Sequence, residues 1–135
     1  MKILADTSGV IALLDRSDRH HADVAKLVRI AELVVPVTIL PEVDYMVTKY
    51  LGEQVARAFL ADIRSGAFSY LGMDRLDIQP ITEMMNQYAD IPIGFVDASV
   101  AVLGDRHNIQ SILTLDRRHF SIIKSNQFGY FGLLP

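Results

Sequence analysis

The sequence predicts an α/β protein built on parallel strands, and two observations support this. Five short apolar runs recur along the 135 residues, each of a length and composition typical of a strand covered on both faces. Helix-length segments separate most of these runs, as in consecutive βαβ units. The strands are predicted at residues 2–5, 33–37, 68–71, 111–115 and 129–133.

The spacing of apolar residues predicts the helices. Residues 39–51 carry a helical stripe, with Thr38 expected as the N-cap and Gly52 just past the end. The stripe repeats over residues 55–63, and Gly66 is expected to end that helix. The other helices are predicted from about Ser8, over about residues 21–31, over residues 80–88 opened by Pro80, and over residues 94–107.

The composition is that of a globular protein with one domain, expected over residues 1–135. No apolar run reaches the roughly 18 residues that span a bilayer, and the first residues lack the pattern of a signal peptide. The absence of cysteine excludes disulfides, zinc–thiolate sites and thiol nucleophiles. We therefore expect a cytoplasmic protein that does not enter a membrane.

The net charge of −3 disfavours a broad surface for binding polyanions, because nucleic-acid binders are usually basic. The chain has 16 acidic and 13 basic residues. If four acids are committed to a metal site, 12 acidic residues remain against the 13 basic ones. A local basic surface is therefore still compatible with the composition.

Asp97 is the most informative single residue. It is the only ionisable side chain between residues 91 and 104, in a predicted helix that is apolar on every face, so we expect it to be buried. A buried carboxylate is costly unless it is paired, hydrogen-bonded or bound to a cation. The structural alternative is an aspartate in the first helical turn, stabilised by the helix dipole.

Asp6 and Asp116 each follow an apolar run that is predicted to be a strand. In an open parallel sheet, ligands bind beyond the carboxyl ends of the strands, near the point where the strand order reverses. Both acids should therefore lie along that edge. Each alone is also explained as a helix N-cap, but their joint occurrence favours a shared site.

A fourth acid is expected from the helix that follows the second predicted strand. Glu42 and Asp44 both qualify, because they lie on opposite borders of the apolar stripe at about 100° per residue. The periodicity does not choose between them. Glu42 is nearer the start of the helix, and therefore nearer the edge of the sheet.

Carboxylates gathered in one place raise each other's pKa, and a divalent cation removes that repulsion. Ligands that are all oxygens favour Mg²⁺ or Mn²⁺ over zinc. One or two such ions can activate a water and stabilise the leaving oxygen of a phosphodiester. A histidine base is then unnecessary, and we expect none of the four histidines to be catalytic, although His119 lies near an acidic motif.

Four segments, in their order and spacing, resemble the acidic motifs of PIN-domain ribonucleases, and most closely the VapC toxins of bacterial toxin–antitoxin pairs. The resemblance covers essentially the whole chain, including its ending FGLLP. The segments are ADTSG from residue 5, PVTILPEVDYMV from residue 36, IGFVDASVAVL from residue 93 and ILTLDRRHF from residue 112.

The resemblance implies a three-layer α/β/α sandwich whose central parallel sheet has the strand order 3-2-1-4-5. It implies endonucleolytic cleavage of RNA with Mg²⁺ or Mn²⁺, leaving 3′-hydroxyl and 5′-phosphate ends, usually in structured loops of tRNA or ribosomal RNA. It also selects Glu42 as the fourth acid. The implied catalytic residues are Asp6, Glu42, Asp97 and Asp116, with Asp6, Asp97 and Asp116 as the metal ligands and with Ser8 and Thr114 orienting ligands or water.

The resemblance also implies two protein partners, a second copy of the chain and a cognate antitoxin. The tail of the antitoxin would lie over the acidic groove, where clustered carboxylates attract an arginine. Arg117, Arg118 and Lys124 are candidates for contacts with RNA phosphates, and the alternative is that they are solvated surface charges. With so little basic surface, RNA recognition is expected to rest on the shape of an unstacked loop.

Two other functions are compatible with the residues. One is a phosphatase with Asp6 as its nucleophile, although Ser8 stands where the common pattern of such enzymes has a second aspartate. The other is a non-catalytic module that binds an antitoxin and tunes its binding to DNA. Aspartyl-phosphate trapping would support the first, and antitoxin binding without RNA cleavage would support the second.

Overall fold

The computed structural model describes residues 1–135 and is organised around a five-stranded parallel sheet. The strands are β1 (Lys2–Ala5), β2 (Glu32–Pro36), β3 (Ser69–Leu71), β4 (Ser111–Leu113), β5 (Lys124–Ser125), β6 (Gly129–Tyr130) and β7 (Gly132–Leu134). The sheet has the order β3-β2-β1-β4-β7, and every neighbouring pair in it is parallel. The remaining strands, β5 and β6, form a small antiparallel pair.

Six helices flank the sheet, together with two short 3₁₀ turns at Val37–Ile39 and Arg75–Asp77. The helices are α1 (Thr7–Leu14), α2 (His21–Ile30), α3 (Leu40–Leu51), α4 (Glu53–Ser65), α5 (Ile78–Gln87) and α6 (Phe95–Arg106). Right-handed crossovers place α1–α4 on one face, and the jump from β3 to β4 places α5 and α6 on the other. The packing agrees, since α1 contacts α2 and α3, while α5 contacts α6.

The predicted three-layer fold and strand order are confirmed, with one shift in the last strand. The fifth strand of the sheet is β7 rather than residues 129–133, because Gly129 and Tyr130 pair with β5 instead. Gly129 has a φ of +83°, a conformation that interrupts an extended strand. The fifth strand of the sheet therefore begins at Gly132, three residues later than the apolar pattern predicts.

Two of the predicted helix starts are wrong. Thr38 does not cap α3: it lies in the 3₁₀ turn, and its hydroxyl accepts a 2.7 Å hydrogen bond from Ser99 Oγ, which joins the start of α3 to α6. Pro80 does not open α5, because a capped 3₁₀ turn leads directly into Ile78. A proline is nevertheless tolerated in the first turn, where its missing N–H would have no partner within the helix.

Both predicted glycine ends are confirmed. Gly52 follows α3 with a φ of +101°, and Gly66 follows α4 with a φ of +87° in the left-handed region. Glycine adopts such angles without the steric penalty that a Cβ atom would impose. No helix combines the length and the apolarity needed to span a bilayer.

The core lies on both faces of the central strands. Residues 3–5 of β1 are all buried, and so is every residue of α6 from 98 to 104, as expected for a helix that is apolar on every face. Because α6 packs beside β1, its first turn reaches the carboxyl edge of the sheet. The most buried helix therefore delivers Asp97 to the same edge as Asp6.

Gly9 allows α1 to pack unusually close to the end of β4. A Cβ atom at Gly9 would lie 2.5 Å from the backbone oxygen of Leu113 and 2.6 Å from its Cγ, far inside van der Waals contact. The backbone N–H of Asp6 donates to that same oxygen at 3.0 Å. This close approach fixes the start of α1 against the end of β4.

We predict that Gly9→Ala lowers the free energy of unfolding by about 1–3 kcal/mol, because the added methyl group must displace the backbone of β4. Urea denaturation measures this loss. The matched control is Gly72→Ala, whose Cβ would meet only one atom at an ordinary 3.8 Å; a change of at most about 1 kcal/mol is expected there. Equal stability of wild type and Gly9→Ala would contradict the close packing.

Candidate active site

A cavity of about 210 Å³ lies at the carboxyl edge of the sheet and is lined by all four predicted acids. Asp6 follows β1, Asp116 follows β4, and Glu42 and Asp97 lie in the first turns of α3 and α6. Asp44 is not part of the lining, so Glu42 is the acid that the fold brings to the site. The lining consists of Asp6, Thr7, Ser8, Glu42, Met46, Asp97 and Asp116.

Asp6 is the most buried of the four carboxylates, with 5% of the residue exposed. Its Oδ2 accepts hydrogen bonds from Thr114 Oγ1 at 2.9 Å and from Ser8 Oγ at 3.3 Å. The pKa of Asp6 is raised from 3.8 to about 6, mainly because burial disfavours the charged form and to a lesser extent because Asp97 is negatively charged. The hydrogen bonds from Thr114, the Thr7 backbone and Ser8 oppose this rise.

Ser8 and Thr114 form the network that holds the Asp6 carboxylate. Their hydroxyl oxygens are 3.2 Å apart, so the two side chains also contact each other. The backbone N–H of Leu115 donates to Ser8 Oγ at 2.9 Å, and that of Asp116 donates to Thr114 Oγ1 at 3.1 Å. The first turn of α1 and the segment after β4 are thereby joined around one carboxylate.

Asp97 is less buried than the sequence predicts. Its side chain is 26% exposed. The reason is its position in the first turn of α6, beside the cavity, whereas the buried residues of this helix follow it. Its Oδ2 is 2.7 Å from His119 Nδ1. The carboxylate is therefore hydrogen-bonded by a residue 22 positions away in the sequence.

His119 is a polar neighbour of the site whose contact with Asp97 the sequence pattern does not indicate. It is partly buried, with 24% of its side chain exposed, and it holds Asp97. Its position three residues after Asp116 signals that it is near the site, but nothing in the pattern indicates which acid it contacts. The expectation that no histidine is catalytic stays a prediction.

Asp116 is held by its own neighbour Arg118. The guanidinium donates from Nε to Oδ1 and from Nη2 to Oδ2, both at 3.1 Å. These bonds lower the pKa of Asp116 below its ordinary value. Arg118 is 81% exposed, so solvent screens the pair and exchange of the guanidinium for another cation costs little.

The two arginines that were candidates for RNA contacts have partners within the chain. Arg118 is paired with Asp116, and Arg117 Nη2 donates to the backbone oxygen of Pro135 at 2.6 Å. Arg117 is thereby joined to the segment that follows β7. Their contact with RNA stays a prediction.

The residues present fit a hard divalent cation. No three carboxylate or histidine side chains converge closely enough to enclose an ion together. Mg²⁺ does not require this, since it commonly binds through one or two carboxylates and keeps several waters. The carboxylate and hydroxyl groups of the lining and the raised pKa of Asp6 both indicate a site that favours positive charge.

A buried hydroxyl without a partner supports the same conclusion. Thr7 Oγ1 is buried beside Asp6 and has no hydrogen-bond partner within the chain. Buried polar atoms are rarely left unpaired. Asp6, Asp97 and Asp116 could hold the ion directly, and the hydroxyl lies beside them.

Comparison with known proteins assigns the fold and the family. Residues 3–125 match the PIN domain. Ribonuclease VapC26 of Mycobacterium tuberculosis (strain ATCC 25618 / H37Rv) is 33% identical over 135 residues, which cover 98% of this chain and 100% of that protein.

Solved structures of low sequence identity share the fold. VapC20 of Mycobacterium tuberculosis, a sarcin–ricin loop cleaving toxin, has a TM-score of 0.78 at 19% identity, covering 86% of this chain and 91% of that one. VapBC2 of Rickettsia felis, bound to a DNA fragment from its promoter, has a TM-score of 0.72 at 16% identity, covering 98% and 97%. The match to the PIN domain and the 33% identity to VapC26 show that this chain belongs to the PIN-domain family, among the VapC proteins.

Proposed function

We propose that this chain is a metal-dependent endoribonuclease that acts in the cytoplasm as the toxin of a VapBC-type pair. The observation that carries the proposal is that four carboxylates far apart in the sequence line one cavity. The 33% identity to a VapC ribonuclease supports RNA as the substrate. The related VapC20 cleaves the sarcin–ricin loop, which supports a structured loop of tRNA or ribosomal RNA.

The proposed cofactor is Mg²⁺ or Mn²⁺, held by Asp6, Asp97 and Asp116. A bound ion of this kind activates a water and stabilises the leaving oxygen of a phosphodiester. Ser8 and Thr114 keep the Asp6 carboxylate oriented toward the cavity, and His119 does the same for Asp97. Asp116 could bind the ion once its solvent-exposed salt bridge with Arg118 is broken.

Glu42 is the candidate general base. It is exposed in the first turn of α3 and lines the same cavity as the buried Asp6. A general base must come within hydrogen-bond reach of the attacking water. The place of Glu42 in the cavity lining supports this role, because that water would lie within the cavity.

The proposed protein partners are a cognate antitoxin and a second copy of the chain. Solved relatives from Rickettsia felis and Salmonella typhimurium are VapBC assemblies bound to DNA, which supports the antitoxin. A cavity lined by carboxylates favours an arginine of the antitoxin as the group that blocks the site. The homodimer rests on the family resemblance.

We predict that Glu42→Gln and Asp97→Asn each reduce RNA cleavage by about 10²–10⁴-fold, because each removes a charge from the cavity. The measurement is sequencing of RNA 5′ ends after incubation of an RNA pool with protein and Mn²⁺. Asp44→Asn is the matched control, since Asp44 is also exposed on α3 but lies outside the cavity. It should cleave at the wild-type rate.

Two outcomes would contradict the proposed function. If Asp97→Asn cleaved RNA at the wild-type rate, the carboxylates of the cavity would not be catalytic. A wild-type chain that binds an antitoxin but cleaves no RNA with Mn²⁺ present would favour the non-catalytic alternative.

We also predict that the charge on Asp6 destabilises the metal-free protein at neutral pH. Because folding raises its pKa from 3.8 to about 6, the folded state binds the proton more tightly than the unfolded state. The resulting stabilisation is complete below about pH 4 and is lost as the pH rises through about 6, an effect of about 3 kcal/mol at 1.36 kcal/mol per pKa unit.

The measurement compares the unfolding free energy of wild type and Asp6→Asn in EDTA from about pH 4 to pH 7, so that groups common to both cancel. Wild type should lose stability relative to Asp6→Asn as the pH rises. Mn²⁺ at neutral pH should stabilise wild type more than the variant. A constant difference across this range would show that Asp6 has an ordinary pKa.

A further inference from the structure

Thr7 Oγ1 is the one buried side-chain nitrogen or oxygen atom in the chain that has no hydrogen-bond partner. Thr7 is the first residue of α1, is 5% exposed and lines the cavity between Asp6 and Ser8. A valine would fill the same space without the cost of burying an unpaired hydroxyl. The presence of threonine indicates that the hydroxyl gains a partner from outside the chain.

The other two hydroxyls at the site, those of Ser8 and Thr114, already have hydrogen-bond partners within the chain. Ser8 Oγ contacts Asp6, Thr114 and the backbone N–H of Leu115. Thr114 Oγ1 donates to Asp6 and accepts from the N–H of Asp116. Donating to an incoming oxygen from either hydroxyl would therefore take its single proton away from the Asp6 carboxylate, whereas Thr7 can donate without breaking any existing hydrogen bond.

The chemistry of the cavity identifies the class of partner. Its charged groups are carboxylates, so an anion enters only together with a cation, and the atoms that surround such a cation are oxygens. A threonine hydroxyl can donate a hydrogen bond to an oxygen and can accept one from water. The fitting partners are a water of the cation's hydration shell and a non-bridging oxygen of an RNA phosphate.

We propose that the Thr7 hydroxyl is a further binding group of the active site, which donates a hydrogen bond to an oxygen that enters with the cation or with the RNA. This inference rests on the proposed function. It gives Thr7 a role different from that of Ser8 and Thr114, which orient Asp6. Thr7 contacts the incoming oxygen itself.

The test compares Thr7→Val, which removes the hydroxyl and keeps the shape, with Thr7→Ser, which keeps the hydroxyl. In EDTA, Thr7→Val should unfold at the wild-type urea midpoint or above it, because no hydrogen bond is lost. Thr114→Val is the contrasting variant: its hydroxyl is bonded to Asp6, so its midpoint should fall. A fall of the same size in Thr7→Val would show a structural role and overturn the inference.

Two further measurements distinguish the source of the oxygen. If it belongs to a metal-bound water, Thr7→Val should bind Mn²⁺ alone about three- to tenfold more weakly than wild type, measured by electron paramagnetic resonance. If it belongs to the phosphate, Mn²⁺ affinity should be unchanged and cleavage of the RNA pool at saturating Mn²⁺ should slow by a similar factor. Thr7→Ser should retain wild-type values in both.

The failure of this inference and the failure of the proposed function have different signatures. Wild-type Mn²⁺ affinity and wild-type cleavage in Thr7→Val would overturn the role of Thr7 and leave the ribonuclease intact. A wild-type chain that binds Mn²⁺ but cleaves no RNA would overturn the ribonuclease, and weaker Mn²⁺ binding by Thr7→Val would still support Thr7. If wild type neither binds Mn²⁺ nor cleaves RNA, both are overturned.

Discussion

The burial of the Asp6 carboxylate beside Asp97 is the constraint on which the rest of the site depends. Removing the carboxylate from water raises its pKa to about 6, so near neutral pH the fold holds a charge that burial disfavours. The local structure compensates with hydrogen bonds from Ser8 and Thr114. These bonds require the close approach of α1 to β4 that Gly9 allows. A cation in the cavity would relieve the remaining cost.

Asp97 and Asp116 are hydrogen-bonded by residues of one short segment of the chain. The residues that follow β4 supply Asp116 itself, the Arg118 guanidinium that pairs with it, and the His119 ring that bonds Asp97. Asp6, Asp97 and Asp116 thus have separate hydrogen-bond partners within the chain. The partners differ in accessibility: Arg118 is exposed and easily exchanged, whereas the bonds to Asp6 are buried. Entry of a cation is therefore expected to rearrange the Asp116 side of the site more than the Asp6 side.

The sequence predicted those features that depend on local pattern and chain order. Apolar runs that end in aspartate located Asp6 and Asp116 at one edge, because parallel strands place their carboxyl ends together. Periodicity could not separate Glu42 from Asp44, since both border the same stripe, and the choice came from the family resemblance. The burial of Asp97 was overestimated because a helix can be apolar on every face and still open onto a cavity in its first turn. The contact of His119 with Asp97 and the Thr38–Ser99 hydrogen bond join distant residues, which periodicity does not predict.

We propose that these acids together form one cation-binding site, and a crystal of the protein soaked in Mn²⁺ tests this proposal most directly. Anomalous scattering at the manganese edge locates the ion independently of the refined side chains. We expect an anomalous peak within the cavity lined by Asp6, Asp97 and Asp116, with the Arg118 guanidinium displaced from Asp116. The absence of a peak there, with each carboxylate still bonded to its partner within the chain, would contradict the account.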